Sequence, residues 1–189
     1  MKTVLRRIYR EKRQSLSIEA MEKLTDLMLI NFQKIELPYL QYVHTYMASS
    51  EQREIDTYIF IRYLSFLNPD LKIVVPKINL QDGSMKHYVL NEDTELILNA
   101  FGIPEPAGGE EVGVEKINIV LTPLLVFDER GYRVGYGKGY YDKFFAGCTN
   151  DVIKVGLSCF DPIPVINDVN KYDIRLDHCV TPEKVYSFK

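Results

Sequence analysis

Two spacings of apolar residues alternate along this chain. Up to about residue 35 the period is helical. Val4, Leu5 and Ile8 form a short stripe. Ser17 then stands as an N-cap with Glu19 behind it, and Met21, Leu24, Leu27, Met28, Phe32 and Ile35 recur every three or four positions. Pro38 marks an ending. Residues 42–47 are rich in β-formers and predict a strand. A polar stretch, 49–53, leads to Ile55, Ile59, Leu64 and Leu67 at helical spacing. Asn68-Pro69-Asp70 reads as a turn, and 71–75 as a buried strand that Pro76 stops. Further strands are predicted over 85–90, 117–121 and 152–157, with a short one at Cys179 and Val180. A helix is predicted over 140–145, and the Gly- and Pro-rich stretch 99–113 reads as a loop. Strands alternating with helices argue an α/β layered domain around a largely parallel sheet. No repeat or linker divides the 189 residues, so one domain is expected.

Charge removes one class of function. Lys and Arg total 23 against 26 Asp and Glu, a net charge of −3, whereas a nucleic-acid-coating protein is usually basic. The three cysteines, Cys148, Cys159 and Cys179, form no C-x-x-C pair, so neither a disulfide framework nor a zinc signature is present. They fit a reducing compartment. No signal peptide and no long apolar run occur, and a cytoplasmic protein is expected.

Candidate chemistry concentrates at 130–142. Four glycines fall between 131 and 139, and those at 135, 137 and 139 alternate with Tyr136 and Lys138. Such a backbone offers consecutive amides to an oxyanion, and a helix starting after Gly139 adds its free N–H groups. Lys138 supplies a mobile positive charge, and Asp142 a hard oxygen donor suited to Mg²⁺. The spacing is neither a Walker A loop nor G-x-G-x-x-G. The plain alternative is a Gly-rich turn with surface tyrosines.

Three other features are weaker alone. Lys2, Arg6, Arg7, Arg10, Lys12 and Arg13 crowd the N-terminus against Glu11 alone. Lys2 and Arg6 share a helix face and could clamp phosphates, although a solvated face is the simpler reading on charge. Glu54, in Glu54-Ile55-Asp56-Thr57, follows a strand end where ligands often bind, or is ordinary helix N-terminal charge. Asp173 could meet Asp142 across the fold, or be a surface acid. His44, His87 and His178 are isolated and read as structural.

Taken together, these elements resemble the 5-formyltetrahydrofolate cyclo-ligases. Gly135-Tyr136-Gly137-Lys138-Gly139-Tyr140-Tyr141-Asp142 resembles their G-x-G-K-G-Y-Y-D signature. Lys2 and Arg6 match an N-terminal K-x-x-x-R, Glu54 to Thr57 an E-[IV]-[DE]-T element, and Val75-Pro76-Lys77 a strand end. Phe101-Gly102-Ile103-Pro104-Glu105-Pro106 matches an aromatic-x-I-P-x-P loop, and Asp173 with Asp177 a late D-x-x-x-D. Some members carry Arg where this chain has Tyr136, and Trp where it has Phe101.

The resemblance implies a three-layer α/β/α sandwich over residues 1–189. It also implies ATP- and Mg²⁺-driven closure of 5-formyltetrahydrofolate to 5,10-methenyltetrahydrofolate, with ADP and phosphate released. By position, ATP would be held by Lys2, Arg6, Arg133, Gly135, Tyr136, Gly137, Lys138, Gly139, Tyr140 and Tyr141. Lys138 and Tyr140 would be catalytic, and Asp142 and Asp173 would hold Mg²⁺. Met47, Glu54, Phe101 and Tyr140 would line the folate site. A monomer acting on 5-formyltetrahydrofolate, with or without a polyglutamate tail, and engaging neither nucleic acid nor membrane is expected. On the residues alone, a non-catalytic folate- or RNA-binding module and a transferase for another small carboxylated metabolite remain open.

Overall fold

The computed structural model describes residues 1–100 and 102–188. Helices α1 (Lys2–Gln14) and α2 (Ile18–Phe32) come first. Ser17 caps α2 as its spacing predicts, its hydroxyl accepting from the Ala20 amide at 3.1 Å. There follow β1 (Tyr42–His44), α3 (Tyr58–Leu67), β2 (Lys72–Asn79), β3 (Ser84–Leu90), the short hairpin β4 (Leu96–Leu98) and β5 (Pro104–Pro106), and β6 (Ile119–Pro123). A second small hairpin, β7 (Val126–Phe127) and β8 (Arg133–Val134), precedes α4 (Tyr140–Gly147), β9 (Ile153–Leu157), β10 (His178–Val180) and β11 (Val185–Ser187).

Seven strands form one sheet in the order β11-β10-β9-β6-β1-β2-β3. The five from β10 to β2 run parallel, and β11 and β3 add antiparallel edges. Alternate strand residues face opposite layers. Val43, Ile119, Leu121, Val155 and Leu157 pack with Met28 and Phe32 of α2 and Phe60 and Leu64 of α3. Val74 and Val120 face the other way, onto Phe144 and Phe145 of α4. The result is the predicted three-layer α/β/α arrangement. No helix among the described residues is long and apolar enough to cross a membrane.

Four elements depart from the sequence pattern. The first strand ends at His44, and Tyr46 and Met47 leave the sheet. The helix expected from Ile55 begins at Tyr58, whose amide is held by the Asp56 carboxylate at 2.9 Å. Pro76 does not stop β2. The Val74 carbonyl accepts from Thr45, so by alternation Pro76 faces the same side, beyond the last β1 register pair, His44 with Val74. A missing N–H costs nothing there. The stretch 99–113 is not wholly loop, because β5 pairs with β4.

The histidine reading fits the structure at His44 and His87. Their rings meet edge to face at 5.0 Å beneath Phe144. Neither nitrogen of His44 and not Nδ1 of His87 finds a hydrogen-bond partner among the described residues. Burial holds both below the usual imidazole pKa, His44 well below and His87 at about 4, the latter against a raising effect of Glu111. The unfolded chain therefore takes up protons near pH 6.5 that the native chain refuses. Stability is fully present above that pH and falls as pH drops toward 4, by about 1.4 kcal/mol per pH unit for each histidine. Denaturant midpoints measured from pH 7 to 4.5 should show this slope, and His87→Phe should flatten it. An equal slope in the variant would exclude His87.

Candidate functional site

The chain passes from β1 outward to β2, then returns to place β6 on the other side of β1, which makes a topological switch point. Crevices outside the carboxyl ends of strands at such points take ligands in open α/β sheets. Here a cleft of about 1100 Å³ opens, walled by Tyr46 and Met47 beyond β1, Pro76 of β2 and Pro123 of β6. Two elements deepen it: the loop between β8 and α4, and helix α1 laid against the β7–β8 hairpin.

Helix α1 brings cations. Lys2, Arg6 and Arg10 follow one another at intervals of four, so they share a face, and all three line the cleft. Arg13 continues the row and is only 3% exposed, its Nη1 donating to the Leu124 carbonyl at 3.3 Å. The solvated-face reading of this basic run therefore fails for these four residues. Their regular spacing was the available signal for Arg10 and Arg13, which sequence reasoning left out of the site.

The glycine loop supplies amides beside them. Arg6 Nε donates to the Gly135 carbonyl at 2.9 Å. Gly137 has φ 93°, and a Cβ there would lie 3.0 Å from the Arg6 guanidinium. Only glycine lets the loop approach α1 so closely. Gly139, at φ 73°, is the N-cap of α4, which leaves the first-turn N–H groups of that helix without a side-chain cap. Lys138 between them is exposed, and no protein acceptor holds its ammonium among the described residues.

Two carboxylates line the same cleft. Asp142, in the first turn of α4, accepts through Oδ1 from Arg133 Nη2 at 2.8 Å and from the Ile174 amide at 3.1 Å. Arg133 Nη1 in turn donates to the Ile174 carbonyl at 2.5 Å. Asp173, one residue earlier, accepts through Oδ2 from Lys2 Nζ and from the Asn170 amide, both at 2.6 Å. Burial lowers the Arg133 pKa, and Asp142 followed by Asp173 act to raise it, so one guanidinium feels both acids. Each acid keeps its second oxygen out of any protein hydrogen bond among the described residues. No group of three or more His, Cys, Asp or Glu able to hold a metal occurs among those residues. Two carboxylates suit Mg²⁺, which usually keeps water and takes its remaining ligands from phosphates.

Glu54 lines the same cleft and touches the glycine loop. Its Oε2 accepts from the Ser49 amide at 2.9 Å and its Oε1 from the Tyr136 hydroxyl at 2.5 Å. Arg53 before it has φ 46°, the left-handed region. Met47 and Tyr140 line the cleft nearby, as do Ile103 and Pro104. Phe101 lies outside the described residues. Burial and then the Glu54 charge raise the pKa of both Tyr136 and Tyr141, so both stay protonated near neutrality. Every other predicted site residue, from Lys2 to Asp173, lines this one cleft.

Residues 1–182 match the model of the 5-formyltetrahydrofolate cyclo-ligase family. The chain belongs to that family. Among curated cyclo-ligases, the chain is 32% identical over 116 residues to a probable 5-formyltetrahydrofolate cyclo-ligase of Schizosaccharomyces pombe, covering 53% of this chain. It is 28% identical over 109 residues to the 5-formyltetrahydrofolate cyclo-ligase of Escherichia coli K12, covering 56% of this chain. These matches span 57% and 60% of the relatives' own lengths. A solved 5,10-methenyltetrahydrofolate synthetase from Aquifex aeolicus superposes over the whole chain and 93% of its own, with a TM-score of 0.80 at 28% identity. A synthetase from Mycoplasma pneumoniae shares the fold, with a TM-score of 0.73 at 20% identity over 96% of this chain and 98% of its own. The mostly parallel sheet is thus the cyclo-ligase fold.

Proposed function

We propose that this cyclo-ligase family member converts 5-formyltetrahydrofolate to 5,10-methenyltetrahydrofolate, with ATP split to ADP and phosphate. Residues 1–189 act as one catalytic unit. The observation that carries the reading is the make-up of a single cleft. Cations, glycine amides and two carboxylates line it together with Glu54, an acid anchored by Tyr136 among apolar and tyrosine side chains.

The residues take roles by chemistry. Lys2, Arg6 and Arg10 face the phosphates, with the amides of 135–139 and the α4 N-terminus adding donors. Tyr141 adds to the nucleotide-binding wall, and Arg133 acts from behind by holding Asp142. Asp142 and Asp173 would hold Mg²⁺, which neutralises phosphate charge when bound. Glu54 accepts from the donor edge of the pterin, and Met47, Tyr140 and Phe101 pack on it.

The formyl oxygen, made nucleophilic by amide resonance, attacks the γ-phosphorus, and ADP leaves. This turns a poor leaving group into phosphate. N10 of the folate then attacks the formyl carbon and loses its proton, and the C–O bond breaks to release phosphate. Lys138 and Tyr140, where the loop meets the helix, touch the transferring group. The protein contributes positioning and charge neutralisation.

The three cysteines are unpaired, consistent with a reducing cytoplasm. We take the enzyme to act as a monomer on this small molecule, polyglutamylated or not, without nucleic acid or membrane. Purified protein should generate the methenyl absorbance from 5-formyltetrahydrofolate only when ATP and Mg²⁺ are both present. Absence of that product over a range of conditions would overturn the reading.

A further inference from the structure

Glu54 sits in a segment outside any helix or strand, between β1 and α3. A carboxylate there would normally swing among rotamers, and a recognition group that must be ordered on binding loses affinity to the ordering. Two donors hold it instead. One is local: the Ser49 amide on Oε2, closed into a ring by the Glu54 amide donating to the Ser49 carbonyl at 3.1 Å. The other crosses 82 positions of sequence, from the Tyr136 hydroxyl to Oε1 at 2.5 Å.

Tyr136 is itself held. Its hydroxyl accepts from Arg13 Nη2, and Arg13 is braced on the Leu124 carbonyl. The guanidinium groups of Arg10 and Arg13 lie 5.9 and 5.7 Å from its ring centre. The direction of the chain is fixed by chemistry. An arginine can only donate, so the single phenolic proton goes to Glu54. That hydroxyl then has no proton left for a phosphate. Each link polarises the next in this half-buried chain of groups.

We propose that Tyr136 is a positioning residue that fixes Glu54 from helix α1. The folate-side acid and the phosphate-side cations Lys2, Arg6 and Arg10 then share one rigid support. This rests on the folate role given to Glu54 above. It moves the hydroxyl of Tyr136 from nucleotide contact, its role by family position, to the organisation of the other substrate's site.

Tyr136→Phe keeps the ring over the arginines and removes only the donor. It should raise KM for 5-formyltetrahydrofolate by roughly tenfold or more, the loss of one hydrogen bond to a charged group. KM for ATP and kcat should stay near wild type, while the melting temperature falls by a few degrees because buried Arg13 loses the acceptor of its Nη2. In a Glu54→Ala background the same change should have no further effect, because the residue acts through Glu54. A raised KM for ATP with an unchanged folate KM, or losses that simply add in the double variant, would overturn the proposal. So would a fall in kcat that tracks a fall in melting temperature. An inactive wild-type enzyme sinks function and proposal together. An active one with a silent Tyr136→Phe sinks the proposal alone.

Discussion

Replacing Lys138 by alanine should lower kcat by roughly 10²- to 10³-fold, the usual cost of removing one donor aimed at developing charge. The ammonium sits in the cleft between two glycines, exposed and with no protein acceptor among the described residues. It therefore supports nothing in the fold, and the denaturant midpoint should move by no more than a surface substitution does, within about 0.5 kcal/mol. Stopped-flow or steady-state turnover with saturating ATP and folate, alongside a urea melt, separates the two effects. Near-normal kcat would remove Lys138 from the transfer step.

Asp142→Ala should show the opposite profile, a large loss of stability as well as of activity. The Arg133 side chain is only 6% exposed and pairs with Asp142. Deleting one partner of a buried ion pair leaves the other charge uncompensated, typically at about 3 kcal/mol or more. The same deletion frees the Ile174 amide and takes away one of two carboxylates proposed for Mg²⁺. Asp142→Asn keeps an oxygen for Arg133 and Ile174, so it should recover much of the stability while still needing more Mg²⁺ for turnover. Equal denaturant midpoints for wild type and Asp142→Ala would contradict the structural part. An unchanged Mg²⁺ requirement in Asp142→Asn would contradict the metal part.

Much of this site is legible along the chain because its chemistry is local. Of the alternating glycines at 135, 137 and 139, the last two answer a backbone requirement, a positive φ at each; Gly135 has open space where a Cβ would stand. The four-residue spacing of Lys2 and Arg6 is a helix face. Parallel strands read as apolar runs because helices cover both faces of the sheet. What stayed hidden depends on long-range placement. Nothing near Lys2 in sequence foretells its pairing with Asp173 across 171 positions, nor that Arg13 turns inward to a tyrosine 123 residues away. Pro76 looked like a stop because a sequence shows that a ladder donor is missing but not that the neighbouring strand has already ended. The β4–β5 hairpin was lost because Pro104 and Pro106 resemble loop residues, and β4 is exposed along its whole length, so burial gave no period to read.

Labelling the formyl oxygen of 5-formyltetrahydrofolate with oxygen-18 and following it through one turnover tests the proposed reaction most directly. The label should appear in inorganic phosphate, one atom per methenyl product formed. Label released to water, with the phosphate unlabelled, would contradict it.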